Sequence, residues 1–95
     1  MIEIKLVEKT GNFAENKDIA RDIRVKQLIP SLKKHQKIVL NFSGIDATTQ
    51  SFIHALISDV IRKFGADCMD SILFKHCSEN VQKIINIVVE YMQEI

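Results

Sequence analysis

The segment that most narrows what this chain can fold into is 37–64, where one apolar period gives way to another within a few residues. Lys37-Ile-Val-Leu-Asn-Phe42 is a continuous apolar run with β-branched members. That is the pattern of a strand covered on both faces, so it is expected at the centre of its sheet. Ser43-Gly44 ends the run. Phe52, Ile53, Leu56, Ile57, Val60, Ile61 and Phe64 then recur at helical spacing and form a wide apolar stripe. Gly65 follows the last of them, where a C-terminal cap belongs. Thr48 or Thr49 is the expected N-cap.

The flanks repeat this alternation. Ile2, Ile4 and Leu6 alternate with Glu3, Lys5 and Val7, which predicts a strand over 2–7 with one face on a core. Gly11 and Asn12 break it. Asn16 is placed to cap a helix beginning at Lys17, and Asp18 in its first turn suits the helix dipole. Ile19 and Ile23 share a face, which Leu28 and Leu32 continue with a slip. Pro30 has no N–H to give, so this helix is expected to end or kink near Ile29, with a second short turn over 30–35. Ser71-Ile-Leu-Phe74 predicts a third strand. Ser78 then caps a last helix, with Glu79 in its first turn and Val81, Ile84, Ile85, Val88 and Met92 facing inward. The order is β-α-β-α-β-α, an α/β chain with a mainly parallel sheet and helices packed on it, expected to be one domain over 1–95.

Composition narrows the function. The 13 basic and 12 acidic residues give a formal net charge of +1, which offers no electrostatic case for nucleic acid as a partner. No apolar run approaches the roughly 18 residues a membrane span needs. The N-terminus alternates apolar and charged residues without a signal-peptide core, so a cytoplasmic location is expected. Cys68 and Cys77 have eight residues between them and no CxxC partner, and are expected to be free thiols. Glycine occurs only at 11, 44 and 65, so neither a dinucleotide fingerprint nor a P-loop is present.

For chemistry the chain offers three histidines, at 35, 54 and 76, and its two thiols. His54 is expected on the polar side of the second helix, in line with Gln50 and Ser58. His76 and Cys77 adjoin at the end of the third strand, with Cys68 expected nearby. The spacing shows no converging nucleophile, base and orienting group, so no catalytic residue is assigned. No metal-ligand spacing occurs and no cofactor is implied.

Two features point instead to binding. Thr48, Thr49, Gln50 and Ser51 cluster at a helix N-terminus, which serves either as simple capping or as a place where an anion or phosphoryl group sits. On the last helix, Ile87, Tyr91 and Ile95 follow one another on a face apart from the core stripe, with Val89 on its flank. This face is either covered by the first helix or presented to a partner or a second copy, which leaves a homodimer open.

The stretch Ile38-Val-Leu-Asn-Phe-Ser-Gly-Ile-Asp-Ala-Thr-Thr-Gln-Ser-Phe-Ile-His-Ala-Leu-Ile57 resembles the core of a STAS domain, the family of anti-sigma-factor antagonists and the cytoplasmic domains of sulfate transporters. It is more closely similar to a STAS-like family of unknown function, through its Ser-Gly-Ile turn, its Thr-Gln-Ser-Phe segment and its last helix. The resemblance covers roughly residues 13–93 and is most specific over 37–64. In the antagonists an Asp-Ser-Ser-Gly segment follows the strand, and its first serine is phosphorylated by an ATPase of the histidine-kinase-like fold. Aligned without gaps from Ile38, the aspartate falls on Thr49, the phosphoacceptor on Gln50, the second serine on Ser51 and the glycine on Phe52. Gln50 carries no hydroxyl, so the resemblance moves any phosphorylation to Thr49 or Ser51. It implies a non-enzymatic regulatory module that docks onto a histidine-kinase-like ATPase or a similar protein. Ser43, Gly44, Thr48, Thr49, Gln50, Ser51 and His54 would line the docking surface. The competing readings are a small phosphoacceptor or enzyme using Thr49, Ser51 or His54, and a structural homo-oligomer built through Ile87, Tyr91 and Ile95.

Overall fold

The computed structural model describes residues 1–93. Strands β1 (Ile2–Lys5), β3 (Ile38–Asn41) and β5 (Ile72–Lys75) form the main sheet in the order β1-β3-β5. Both pairings are parallel, with Ile2 opposite Ile38 and Ile38 opposite Ile72. The apolar run at 38–41 is therefore the central strand, as its lack of alternation predicts. Two-residue strands β2 (Phe13–Ala14) and β4 (Ala47–Thr48) make a second, parallel pair. The helices are a single turn α1 (Val7–Thr10), then α2 (Lys17–Ile23), α3 (Ile29–Lys33), α4 (Gln50–Phe64) and α5 (Glu79–Gln93).

Topology decides where the helices lie. The strands step across the sheet in sequence order, and β-to-parallel-β crossovers are right-handed almost without exception. Successive crossovers in one direction place their helices on one face. The burial agrees with this. Ile4, Ile38, Leu40 and Ile72 join a single core with Ala20, Ile23, Phe52, Ile53, Leu56, Ile57, Val60, Val81, Ile85 and Val88. Glu3, Lys5, Leu73 and Lys75, which alternate with them, stay exposed. Side chains of the size of Phe52 or Leu56 each contribute on the order of 1.5–3 kcal/mol when fully buried. α4 lies at the centre of the helical layer, packed against both α2 and α5.

Several local predictions need correction. The first strand ends at Lys5 rather than 7, because Leu6 turns into α1: its carbonyl accepts from the Lys9 and Thr10 N–H groups, and the Val7 carbonyl accepts from that of Gly11. Pro30, where an end or a kink near Ile29 is expected, does not end the first helix but follows directly on a change of helix type. α2, a π-helical turn over Arg24–Leu28 and α3 run on as one helical segment. In that turn the Ile29 N–H donates to the Arg24 carbonyl, five residues back. Pro30 has no donor and crowds the carbonyl four residues before it, and a wider turn just ahead relieves both demands without breaking the helix. The Arg24 side chain leaves this turn to donate from Nη1 to the Ala55 carbonyl at 2.7 Å and to pair with Asp59 at 3.1 Å. The first helix is thereby pinned to α4.

The predicted caps at Asn16 and Ser78 are present: Asn16 accepts from the Asp18 and Ile19 N–H groups, and Ser78 from that of Val81. Gly65 closes α4 with φ +84°. Among the described residues no helix is long and apolar enough to cross a membrane.

α3 ends in a Schellman motif built on the wrong residue type. The Gln36 N–H donates to the Ser31 carbonyl and the His35 N–H to the Leu32 carbonyl, both at 3.0 Å. His35 occupies the left-handed position with φ +58°, where a β-carbon costs on the order of 1 kcal/mol and glycine is preferred. His35→Gly is expected to raise the unfolding free energy by up to about 1 kcal/mol. Urea unfolding checks this as a higher midpoint at an unchanged slope.

Candidate functional site

A candidate site lies between α4 and α5. Gln50 and His54 stand one turn apart on α4. Ile87 and Tyr91 stand one turn apart on α5, and Val88 is beside them. Together these five side chains line a groove of about 310 Å³. The His54 and Tyr91 rings meet at 6.3 Å between centroids, tilted by 47°. Tyr91 remains 57% exposed and Ile87 40% exposed, while His54 is half-buried and Val88 buried. The groove thus joins an apolar wall, an imidazole, an amide and a phenol.

The helix starts that shape the groove are held by hydrogen bonds. Thr49 is the N-cap of α4, its hydroxyl accepting from the Phe52 N–H at 3.1 Å. Thr48 belongs to β4 and does not line the surface. It is 6% exposed, its hydroxyl donates to the Ala14 carbonyl at 2.7 Å, and its N–H donates to the Asn80 side chain at 3.2 Å. Asn80 sits in the first turn of α5. Ser78, the cap of that helix, donates to the Asp46 carbonyl at 2.9 Å. The beginnings of α4 and α5 are therefore tied through one loop.

The other predicted docking residues divide. Ser51 is exposed in the first turn of α4. Ser43 and Gly44 are exposed but lie away from the groove, at the end of β3. The Ser43 N–H donates to the Asn41 side chain at 2.8 Å. Gly44 has φ +85° and approaches α1 so closely that a β-carbon there would stand 3.2 Å from Val7. Ser58, expected in a solvent-facing line with His54, is buried and donates its hydroxyl to the His54 carbonyl. The first helix does not cover the Ile87–Tyr91 face, because it packs on α4 and leaves that face open. Val89 faces a different hollow, with Ile72 and Phe74. Ile95 lies outside the described residues.

The residues considered for catalysis do not converge. Cys68 sits in a 3₁₀ turn (Ala66–Ser71) ahead of β5, whereas His76 and Cys77 follow that strand, so the two thiols lie at its opposite ends. Both are free. Burial pushes both thiols above their ordinary value, the reverse of what an activated nucleophile needs. His76 takes φ +58° at the strand end and is exposed. Among the described residues, no three His, Cys, Asp or Glu side chains are placed to hold a metal ion.

Sequence reasoning missed Val88 as part of the groove, because its spacing marks it equally as core. It also missed Asn80, a polar residue in the first turn of a helix. The pairs Gln50/His54 and Ile87/Tyr91 each carried a visible four-residue spacing, but nothing in either pair announces the other.

A family model described as a STAS-like domain of unknown function, DUF4325, matches residues 20–82. The match spans α2 to the start of α5 and includes the whole of α4, and the chain belongs to this family. Neither the curated proteins nor the solved structures give a match.

Thr49→Ala removes the acceptor for the Phe52 N–H and is expected to lower the unfolding free energy by about 1 kcal/mol, read by chemical denaturation. For the thiols, Ellman's reagent at mildly alkaline pH is expected to react with Cys77 before the more buried Cys68. Both should react more slowly than in the unfolded chain. Because the folded state holds these protons more tightly, the stability they contribute is complete below the ordinary thiol range. It is lost as pH rises through the raised values, which a series of unfolding curves at increasing alkaline pH would record.

Proposed function

We propose that this chain is a non-enzymatic regulatory module that docks onto a protein partner through the groove between α4 and α5. The observation that carries this reading is the half-exposed Tyr91, set beside exposed Ile87 against His54 and Gln50. Large, partly exposed aromatic and aliphatic side chains around a hollow are the usual anchors of protein recognition. The resemblance to anti-sigma-factor antagonists supports the same place. Their phosphoacceptor position corresponds to Gln50, which borders the groove. A histidine-kinase-like ATPase is the partner class that resemblance supplies.

Gln50 cannot accept a phosphoryl group, so a switch of the antagonist kind would use a neighbouring hydroxyl. Ser51 is the exposed one, in the first turn of α4, where negative charge meets the positive end of the helix. The Thr49 hydroxyl already accepts the capping bond, and phosphorylation there would disturb the helix start. A second reading, self-association, draws on the same exposed Ile87 and Tyr91 pair.

Affinity capture from native lysate with and without ATP, using wild type and Tyr91→Glu, separates these readings. Capture of an ATPase that falls roughly thirtyfold or more with Tyr91→Glu is the expected result, the size of a typical hot-spot loss of about 2 kcal/mol. Phosphosite mapping of the bait then distinguishes a Ser51 or Thr49 switch from a constitutive adaptor. Equal capture by both proteins would remove the groove from consideration. A wild-type dimer in light scattering that Tyr91→Glu converts to monomer would replace the adaptor with a homo-oligomer.

A further inference from the structure

Among the described residues, the core helices pack on one face of the main sheet. All-parallel sheets are almost always covered on both faces, and here both strand pairings of the sheet are parallel while every core helix lies on the side of Ile4, Ile38, Leu40 and Ile72. The register orders the opposite face into rows. One runs Glu3, Val39, Leu73 and the next Lys5, Asn41, Lys75. Lys37 lies one step before the strand, on the same side as Val39 by the alternation of the backbone. Val39 is itself buried, at 3% exposed, but Leu73 beside it is 41% exposed.

The charge of this face is one-sided. Lys5, Lys37 and Lys75 are all exposed, and among the described salt bridges none involves them. The single carboxylate, that of Glu3, accepts a hydrogen bond from the Asn41 amide at 3.1 Å. Lys5 and Asn41 also border a hollow of about 230 Å³ with Val7 and Ser43 at the strand ends. A second copy of the chain would bring lysines against lysines and is disfavoured by its own charge.

We infer that the open sheet face is a second docking surface, separate from the α4–α5 groove, and that its occupant is an acidic segment of another protein with an apolar residue to set on Leu73. Carboxylates of that segment lie along the Lys5–Asn41–Lys75 row, where two ammonium groups flank an amide. Neither the identity of the groove's partner nor the groove's own role enters this inference.

Selection of a random phage-displayed peptide library on the immobilised full chain tests it. The enriched peptides are expected to be net acidic with at least one large apolar residue. Their affinity should fall roughly tenfold or more in Lys5→Glu/Lys75→Glu, by a smaller factor in Lys5→Gln/Lys75→Gln, and also in Leu73→Ser. Tyr91→Ala should leave it unchanged. The substituted side chains are exposed, and thermal unfolding verifies that each variant is folded. The inference is overturned if the library yields no acidic peptide, if both lysine variants bind as wild type does, or if Tyr91→Ala abolishes binding. Lysine-dependent binding to phosphatidylcholine–phosphatidylserine vesicles without peptide enrichment would assign the face to a membrane surface instead.

Discussion

The burial of α4 on β3 is the contact on which the other parts of the molecule depend. Phe52, Ile53, Leu56, Ile57 and Val60 are fully buried, and so are Ile38 and Leu40 on the strand side. With the helix held there, its two flanks become the seats for its neighbours. The first helical segment takes one flank, fastened by Arg24 to the Ala55 carbonyl and to Asp59. α5 takes the other. Because a central helix has two neighbours, a seam forms on each side of it. The seam toward α5 is incompletely filled at the end where Gln50 and His54 face Ile87 and Tyr91. The candidate site is a product of packing order more than of any special sequence element.

The two helix starts beside that site are also tied to each other. The N-cap Thr49, the buried Thr48 of β4 and the Asn80 and Ser78 side chains connect them through hydrogen bonds.

Much of the fold was legible because long elements carry strong periods. The uninterrupted run at 38–41 identified the central strand, and the stripes of α4 and α5 identified the two longest helices. The caps at Asn16 and Ser78 followed from side-chain chemistry. What escaped was either short or tertiary. β2 and β4 have two residues each, too few for alternation to show, and missing β4 left Thr48 assigned to the surface when its hydroxyl lies inside. Pro30 correctly signalled a disturbance, but a sequence does not say whether a helix answers by breaking or by widening one turn. The site was visible as two halves. Each four-residue pair was recognised on its own helix, and only the packing of α5 on α4, rather than beneath the first helix, brings them face to face.

The exclusively parallel pairing has a consequence for how the molecule is made. Ile2 meets Ile38, Phe13 meets Ala47 and Ile38 meets Ile72, so each ladder joins residues on the order of 35 positions apart. Among the described residues there is no hairpin and hence no small patch of sheet that could zip first. Loop closure must precede every strand contact, which slows chains whose contacts are mostly distant in sequence. A nascent chain released before β5 has emerged would leave β3 with one unpaired edge, an opening for pairing with another chain until residues 72–75 arrive.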